Sequence, residues 1–400
     1  MKRNSVPNDK PVDHKTINIE LPTSRIKLRV VLVVLLIVLA VSSFAFGINS
    51  LLSTDSGVTE ISVLSGDMNA GSSFTFYYYL GYDGADATDE RREVRSVYTE
   101  AATDALPLFD ASIESDNGLY YVSRHPNEDI AVDPALYSAL EEIVDSGTRY
   151  MYLAPLYAQY GALMSSTTDD EAAQYDPRMD AAQGEFFAQV ADYAADPQSV
   201  NVELLGDDKV RLSVSDAYLA FAEENGIDAY VDLAWMRNAF IADYIADVLT
   251  DAGYTRGALV SDDGFMRCLD TETGTEYSFN FTHRDGNTVT NLSTLHFSGN
   301  VSLACLRDYP REGVNDGDYY QYADGTLRSM YLDPADGLDR SSIPEMCGYT
   351  FNMGCAELTL KLAPVFIAET LNTDELEMLE NGGISVYYTE DGTLCSTAEA

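Results

Sequence analysis

The sequence predicts an α+β fold preceded by a single N-terminal transmembrane helix. Three observations carry that expectation. Residues Val30 to Ile48 form an apolar run without a charge. Beyond it, apolar residues recur at helical spacing in some segments and as short aromatic runs in others. The two patterns do not alternate strictly, so they do not describe a succession of βαβ units.

A helix of about 20 apolar residues crosses the hydrocarbon core of a bilayer. Arg25, Lys27 and Arg29 stand directly before this one, and residues 1–29 carry seven basic residues against three acids. Basic residues gather on the cytoplasmic side of a span, so the tail is expected inside and the remainder outside the cytoplasm. The alternative is a cleaved signal peptide with Ala45-Phe46-Gly47 as its cleavage site, but its n-region would be unusually long. No cysteine follows the run closely, which excludes a lipoprotein anchor. The expected organisation is a cytoplasmic tail (1–29), a membrane helix (30–48), a tether (49–56) and an exported domain (57–400).

Within the exported region Phe74 to Leu80 reads as an aromatic strand and Asp89 to Leu106 as an amphipathic helix. Asp133-Pro134 supplies Ncap and N1 of a helix ending at Ser146. Tyr150 to Gly161 is aromatic and apolar, and Ser166 to Gln174 reads as a polar surface loop. After Asp232, Phe240, Ile241, Tyr244, Ile245, Val248 and Leu249 repeat at helical spacing, with Gly253 in the C′ position. Ala258 to Val260 and Phe265 to Leu269 read as strands about the turn 261–264. Leu358 to Leu371 is an apolar helix containing Pro364, and Thr373 to Glu380 a second helix stopped at Gly382-Gly383. Ile384 to Thr389 and Thr393 to Ser396 form a terminal hairpin about Asp391-Gly392.

Residues 49–400 hold 17 of the 24 basic and 62 of the 65 acidic residues, a balance of −45. Such a surface repels nucleic acid, which needs clustered Lys and Arg. The five cysteines show no CxxC and no metal spacing with the four histidines. This argues against zinc and against a disulfide scaffold.

Four segments stand out by order and spacing. The first runs from Ser146-Gly147-Thr148-Arg149-Tyr150 to Ala154-Pro155-Leu156. The second is Val231-Asp232-Leu233-Ala234-Trp235-Met236-Arg237-Asn238 through Asp243, followed by Ala258 to Gly264. The third is Ser329-Met330-Tyr331-Leu332-Asp333-Pro334 through Gly337, and the fourth is Cys355 to Ala368. Together they resemble the FAD:protein FMN transferases, also called ApbE or thiamine-biosynthesis lipoproteins, across roughly 57–400. The second matches that family's L-D-L-G-G-I-A-K-G-Y-A-V-D in length.

The resemblance implies the ApbE-like flavin-transferase fold, with FAD and Mg2+ as cofactors and an exported flavoprotein as client. The implied reaction moves FMN from FAD to a Ser or Thr of that client. It places Tyr150, Asp232, Asn238 and Leu332 at cofactor-binding positions and Thr359 at a degenerate metal position, and assigns no catalytic residue. Phosphoryl transfer depends on positioning and on neutralising negative charge. Here the motif's lysine is Asn238, its two glycines are Ala234 and Trp235, its histidine is Met330, and its metal-binding pair is Thr359 and Ala363. Ala363 offers no oxygen to magnesium. Asp232 is as well explained by capping of the following helix, Asp243 by a polar or capping role, and Asp333-Pro334 with Gly337 by a turn. The adjacent carboxylates of Asp262-Asp263 point in different directions, and Asp316-Gly317-Asp318 has too few alternating oxygens for a calcium loop. Tyr319, Tyr320 and Tyr322 offer rings on which a flavin can stack, with packing the usual explanation. Three readings stay open: a divergent membrane-tethered transferase, a non-catalytic ectodomain binding flavin or a partner, and a surface module using only the fold.

Overall fold

In the computed structural model the described residues are 56–64, 69–285, 288–310, 316–390 and 392–398. All belong to the unit spanning 54–400. The expected membrane helix, Val30 to Ile48, lies outside them; among the described residues no helix is long and apolar enough to cross a membrane.

The centre is an eight-stranded sheet in the order β1-β2-β6-β7-β10-β13-β14-β15. Its strands are β1 (Gly57–Ile61), β2 (Phe74–Leu80), β6 (Gly257–Ser261), β7 (Phe265–Asp270), β10 (Gly299–Arg307), β13 (Glu345–Thr350), β14 (Ser385–Glu390) and β15 (Thr393–Ser396). Every neighbouring pair is antiparallel, as expected of a fold without βαβ crossovers. β2 pairs with β1 on one edge and β6 on the other, and its alternation turns Phe74, Phe76, Tyr78 and Leu80 into the interior.

One face of this sheet carries α1 (Ala87–Phe109), α8 (Arg237–Asp251) and α9 (Cys355–Phe366). Asp86 opens α1 by accepting from the Thr88 and Asp89 amides at 3.0 and 3.1 Å, satisfying donors that the helix cannot. On α8 the apolar repeat read from the sequence turns Phe240, Ile241, Ile245 and Leu249 inward. Gly253 follows it at φ +84°. The opposite face is closed by a long hairpin, β8 (Tyr277–Asp285) and β9 (Thr288–Phe297), whose Tyr277, Phe279, Phe281, Leu295 and Phe297 pack on Met266, Cys268, Leu303, Cys305 and Cys347. This hairpin is not among the elements expected from the sequence, although Tyr277, Phe279 and Phe281 alternate with polar residues at strand spacing.

Between β2 and β6 the chain builds a helical region around a small sheet, β3 (Asp129–Ala131), β5 (Lys209–Val214) and β4 (Val200–Gly206). Its helices include α2 (Leu119–Arg124), α3 (Pro134–Ser146), α4 (Ala154–Met164), α5 (Asp169–Ala172), α6 (Ala181–Ala195) and α7 (Asp216–Asn225). Asp133 caps α3 through the Ala135 amide at 2.9 Å, as its Asp-Pro start predicts. The polar stretch 166–174 is not all loop. Thr168 accepts from the Glu171 amide, and Glu171 returns to the Thr167 amide at 2.9 Å, so a reciprocal cap supports the short α5.

The helix expected to reach Leu371 stops at Phe366. Ser342 ends it: its amide donates to the Phe366 carbonyl and its hydroxyl to the Val365 carbonyl, each at 2.7 Å. Two terminal acceptors are thereby satisfied without another helical turn. A last helix, α10 (Thr373–Asn381), and a two-stranded ribbon, β11 (Tyr319–Gln321) with β12 (Leu327–Ser329), complete the described elements.

Candidate ligand cavity

A cavity of about 450 Å3 opens where the C-terminal end of α1, helix α2, helix α4 and the segment 228–238 converge on the turn at Asp263. Small-molecule sites commonly measure about 300–1,000 Å3. Its walls include Asp110, Arg124, Tyr157, Asp228, Asp232, Ala234, Trp235, Arg237, Asn238, Asp263, Asp318 and Met330. Three of the four segments singled out in the sequence therefore meet here although far apart in the chain, the first through Ala154, the second through Asp232 to Asn238 and the third through Met330. A wider groove of about 640 Å3 lies along α3, α9 and α10 and includes Ser146 and Thr148. Those hydroxyls lie 2.9 Å apart in a hydrogen bond with each other at the end of α3.

Asp232 is held by the backbone. Its amide donates to the Met151 carbonyl at 2.8 Å, and its carboxylate accepts the Ala234 amide at 2.8 Å. It thus closes a local turn onto the 3-10 turn Ala234–Met236 while also lining the cavity; it does not cap α8 as expected, because that helix starts from Met236 and takes no side-chain cap. Burial raises its pKa, with the negative charge of Asp110 adding to the effect. Ala234 has φ +44°, a left-handed conformation in a residue with a side chain. That costs about 1–2 kcal/mol, and it occurs where the resembled motif has glycine.

Asn238 donates to Asp263 at 2.8 Å, tying α8 to the β6–β7 turn. Asp263 faces inward while its neighbour Asp262 is exposed, so the two carboxylates do not share a cation site. Burial raises the Asp263 pKa as well. The two cationic side chains of the wall are already engaged. Arg237 pairs with the buried Asp110. Arg124 donates to the Ala111 carbonyl at 2.7 Å and lies over the Tyr120 ring at 4.1 Å. Asp110, Asp228, Asp232, Asp263 and Asp318 make the wall electronegative.

Trp235 forms the apolar floor. Its ring sits 5.7 Å from Tyr150, edge-on, and 5.0 Å from Tyr331, which in turn meets Phe366 at 4.9 Å. The indole thus separates Tyr150 from the cavity. Tyr150 is buried and does not line it, and burial raises its pKa. Leu332 is fully buried in the main core and bridges to Asp339, also away from the cavity. An aliphatic side chain at that place gains more from the core than from a polar wall.

Thr359 is fully buried on α9, where its hydroxyl donates to the Cys355 carbonyl at 2.7 Å. Its oxygen is turned onto its own helix, and Ala363 one turn on carries none. The donor set does not fit magnesium, which requires several hard oxygens in near-octahedral array. Among the described residues no group of three or more His, Cys, Asp or Glu could hold a metal ion.

The remaining singled-out residues are explained by the fold. Asp243 accepts the Cys355 and Ala356 amides at 2.9 and 2.7 Å and pairs with Arg267, so it caps α9 rather than its own helix. Asp333 accepts the Ala335 amide at 2.8 Å in a turn closed by Gly337 at φ +75°, where a Cβ would lie 2.7 Å from Leu156. The hydroxyls of Tyr319, Tyr320 and Tyr322 bind the Arg307 carbonyl, Asp169 and Asp176. Arg124, Asp110 and Tyr157 were not anticipated, since none lies in a recognisable motif. Arg237 stood inside the second segment, but its charge carried no motif meaning. Chemically, the wall offers carboxylates, two engaged guanidiniums and an aromatic floor, with no histidine, lysine or cysteine among its described residues. It can bind and orient, and it holds one hydroxyl–carboxylate pair: the Ser112 hydroxyl donates to Asp110 at 2.6 Å, while the other Asp110 oxygen pairs with Arg237.

No family model matches the sequence, and no curated protein matches it by sequence. Solved structures do match its fold. An ApbE protein from Thermotoga maritima is similar with a TM-score of 0.59 and 13% identity, over 85% of this chain and 96% of that one. The flavin transferase ApbE from Vibrio cholerae matches at 0.54 and 11%, over 86% and 98%. The Pseudomonas stutzeri flavinyl transferase ApbE, in its apo form, matches at 0.54 and 12%, over 86% and 95%. The chain has the ApbE-like fold, an α+β fold as the sequence predicts.

Proposed function

We propose that this chain is a divergent, membrane-anchored protein of the FAD:protein FMN transferase type, which holds a flavin nucleotide in the 450 Å3 cavity and serves an exported flavoprotein. One observation carries the proposal: Asp232, Asn238 and Met330, from two separate segments resembling that family, line a single cavity in a chain with that family's fold. The size of the cavity and its aromatic floor suit a flavin nucleotide. Bound FAD supplies the FMN phosphoryl group that the family's reaction moves to a Ser or Thr. Arg124 and Arg237 would meet the anionic part of the nucleotide, and Asp232, fixed by two backbone bonds, would orient it.

The buried Thr359 hydroxyl, bonded to its own helix, favours a second reading. In that reading the fold and cavity are kept without catalysis, and the ectodomain binds flavin or a partner near the membrane. Phosphoryl transfer relies on neutralising charge, and neither a lysine nor a magnesium ligand set lines this cavity. The test incubates the full chain with FAD, magnesium and a client flavoprotein domain. A client gaining the mass of covalently added FMN establishes the transferase and sinks the non-catalytic reading. Saturable FAD binding without that mass establishes the binding protein. Absence of FAD binding in a titration overturns the transferase and the flavin-binding form of the second reading, and leaves a module that binds a partner through the fold alone.

A further inference from the structure

Cys305 on β10 and Cys347 on β13 are directly opposed across the sheet. Both are free thiols, and both are fully buried. In an antiparallel ladder, opposed residues alternate between exchanging backbone bonds and exchanging none. The Cys305 amide donates to the Gly264 carbonyl at 3.0 Å on the β7 side, and its carbonyl faces Gly264 too. Cys305 therefore turns its backbone away from β13, and the pair with Cys347 is the type without shared bonds. Such pairs stand about 4.5 Å apart between Cα atoms, with side chains on one face. A disulfide spans Cα separations of about 4.4–6.8 Å. The Cys305 thiol also donates to Glu345 at 3.1 Å, two residues before Cys347 on the same face.

We infer that Cys305 and Cys347 are a dithiol–disulfide site, closed by a disulfide oxidant such as oxidised glutathione or the disulfide of a thiol oxidoreductase. One thiolate attacks the oxidant's disulfide, giving a mixed disulfide and releasing one thiolate. The second cysteine displaces the other half, and the two thiol protons leave on the two released thiols. The protein loses two hydrogens and the oxidant is reduced to two thiols. Once the hairpin has docked over the closed bond, Glu345 has lost the thiol as a donor to one oxygen and keeps Thr282 and Tyr309 as donors to the other.

The β8–β9 hairpin governs when this occurs. Phe279, Phe281 and Leu295 share one buried cluster with the pair, and Thr282 of the hairpin bonds Glu345 beside it, so an oxidant reaches the pair only before the hairpin docks or while it is lifted. Once closed, the bond is shielded from reductants. Four cysteines of this sheet region are present, yet the others are placed differently. Cys268 opposes Val301 and Ala258, and Cys355 lies on the other face, donating to the Met266 carbonyl at 3.2 Å. In the cell the site depends on the extracytoplasmic placement proposed above, because disulfides persist in oxidising compartments. The experiment below does not depend on it.

The full chain, prepared reduced in detergent with Cys395→Ser, is exposed to oxidised glutathione with and without mild urea, then alkylated, digested and weighed. With urea the intact mass is expected to fall by two hydrogens, with one reducible cross-linked peptide pair containing Cys305 and Cys347. Without urea oxidation is expected to be at least about tenfold slower, because the opening of the hairpin limits access. Reduction of the closed form should lower Tm by roughly 5 °C, from a loop of about 40 residues. Cys347→Ser should hold a glutathione adduct at Cys305 instead of closing. A Cys395→Ser chain whose Cys305 and Cys347 both stay alkylatable after the urea treatment, a lasting glutathione adduct on either of them, or a cross-link through Cys268 each overturns the inference.

Discussion

Replacing Asp243 by alanine separates a structural carboxylate from a ligand-binding one. Asp243 accepts two amides that begin α9 and pairs with Arg267; the side chains are 19% and 13% exposed. Losing a helix cap costs about 1 kcal/mol. Leaving a buried charge without its partner costs about 3–5 kcal/mol. Asp247 also faces the Arg267 guanidinium and offsets part of that charge, so about 3 kcal/mol in total is expected for Asp243→Ala. Asp243→Asn keeps one acceptor and should lose about 2 kcal/mol. Gly354→Ala gives a second route to the same damage, because its Cβ would lie 2.4 Å from the Asp243 carboxylate. The assay is urea unfolding of the three variants beside an FAD titration of each. A loss under about 1 kcal/mol for Asp243→Ala refutes the capping argument. So does an affinity drop of more than about tenfold with unchanged stability, which would put Asp243 on the ligand.

Three further outcomes are expected. Trp235→Ala should cost about 3 kcal/mol in urea unfolding through lost contacts with Tyr150 and Tyr331; a loss under about 1 kcal/mol would mean the indole is not packed there. Asn238→Lys should place an ammonium beside Asp263 and keep the fold, yet yield no FMN-modified client by mass spectrometry, because Met330, Thr359 and Ala363 are unchanged. Burial pushes the Asp308 carboxyl up to about 6, above its ordinary value. Its folded state therefore prefers the proton, so its contribution is fully present below about pH 4 and lost as pH rises to about 6, by at most about 3 kcal/mol. Asp308→Asn keeps an acceptor for the Ser341 hydroxyl and should flatten that part of the stability–pH curve measured by urea titration.

Much of the fold was legible because its signals are local. Asp133-Pro134 announces α3, the apolar repeat through Leu249 announces α8, and the buried alternation from Phe74 to Leu80 announces β2. What stayed hidden depends on distant partners. The end of α9 is decided by Ser342, outside that helix. The β8–β9 hairpin, by contrast, was not expected although it carries a local signal in the alternation of Tyr277, Phe279 and Phe281, and only its docking face depends on the sheet. The same division holds at the cavity. Asp232 and Asn238 were visible through their segment, whereas Arg124 and Asp110 come from a region without any motif and are brought in by α1 and α2. Tyr150 and Leu332 kept their motif positions while the floor at Trp235 and the apolar core claimed their side chains.

The position of β1 has a mechanical consequence. This strand follows residues 49–56 directly, lies at the sheet's edge and pairs with β2 alone, from Gly57 opposite Leu80 to Ile61 opposite Phe76. A load carried along 49–56 enters the domain at Gly57. Of the β1 side chains only Ile61 is buried, while Val58 is 46% exposed. Pulling on the N-terminus in a single-molecule experiment is expected to release β1 as a first short extension, before the strands from β2 to β15 yield. The edge strand then serves as a mechanical fuse, taking up strain in a segment none of whose own residues lines the cavity.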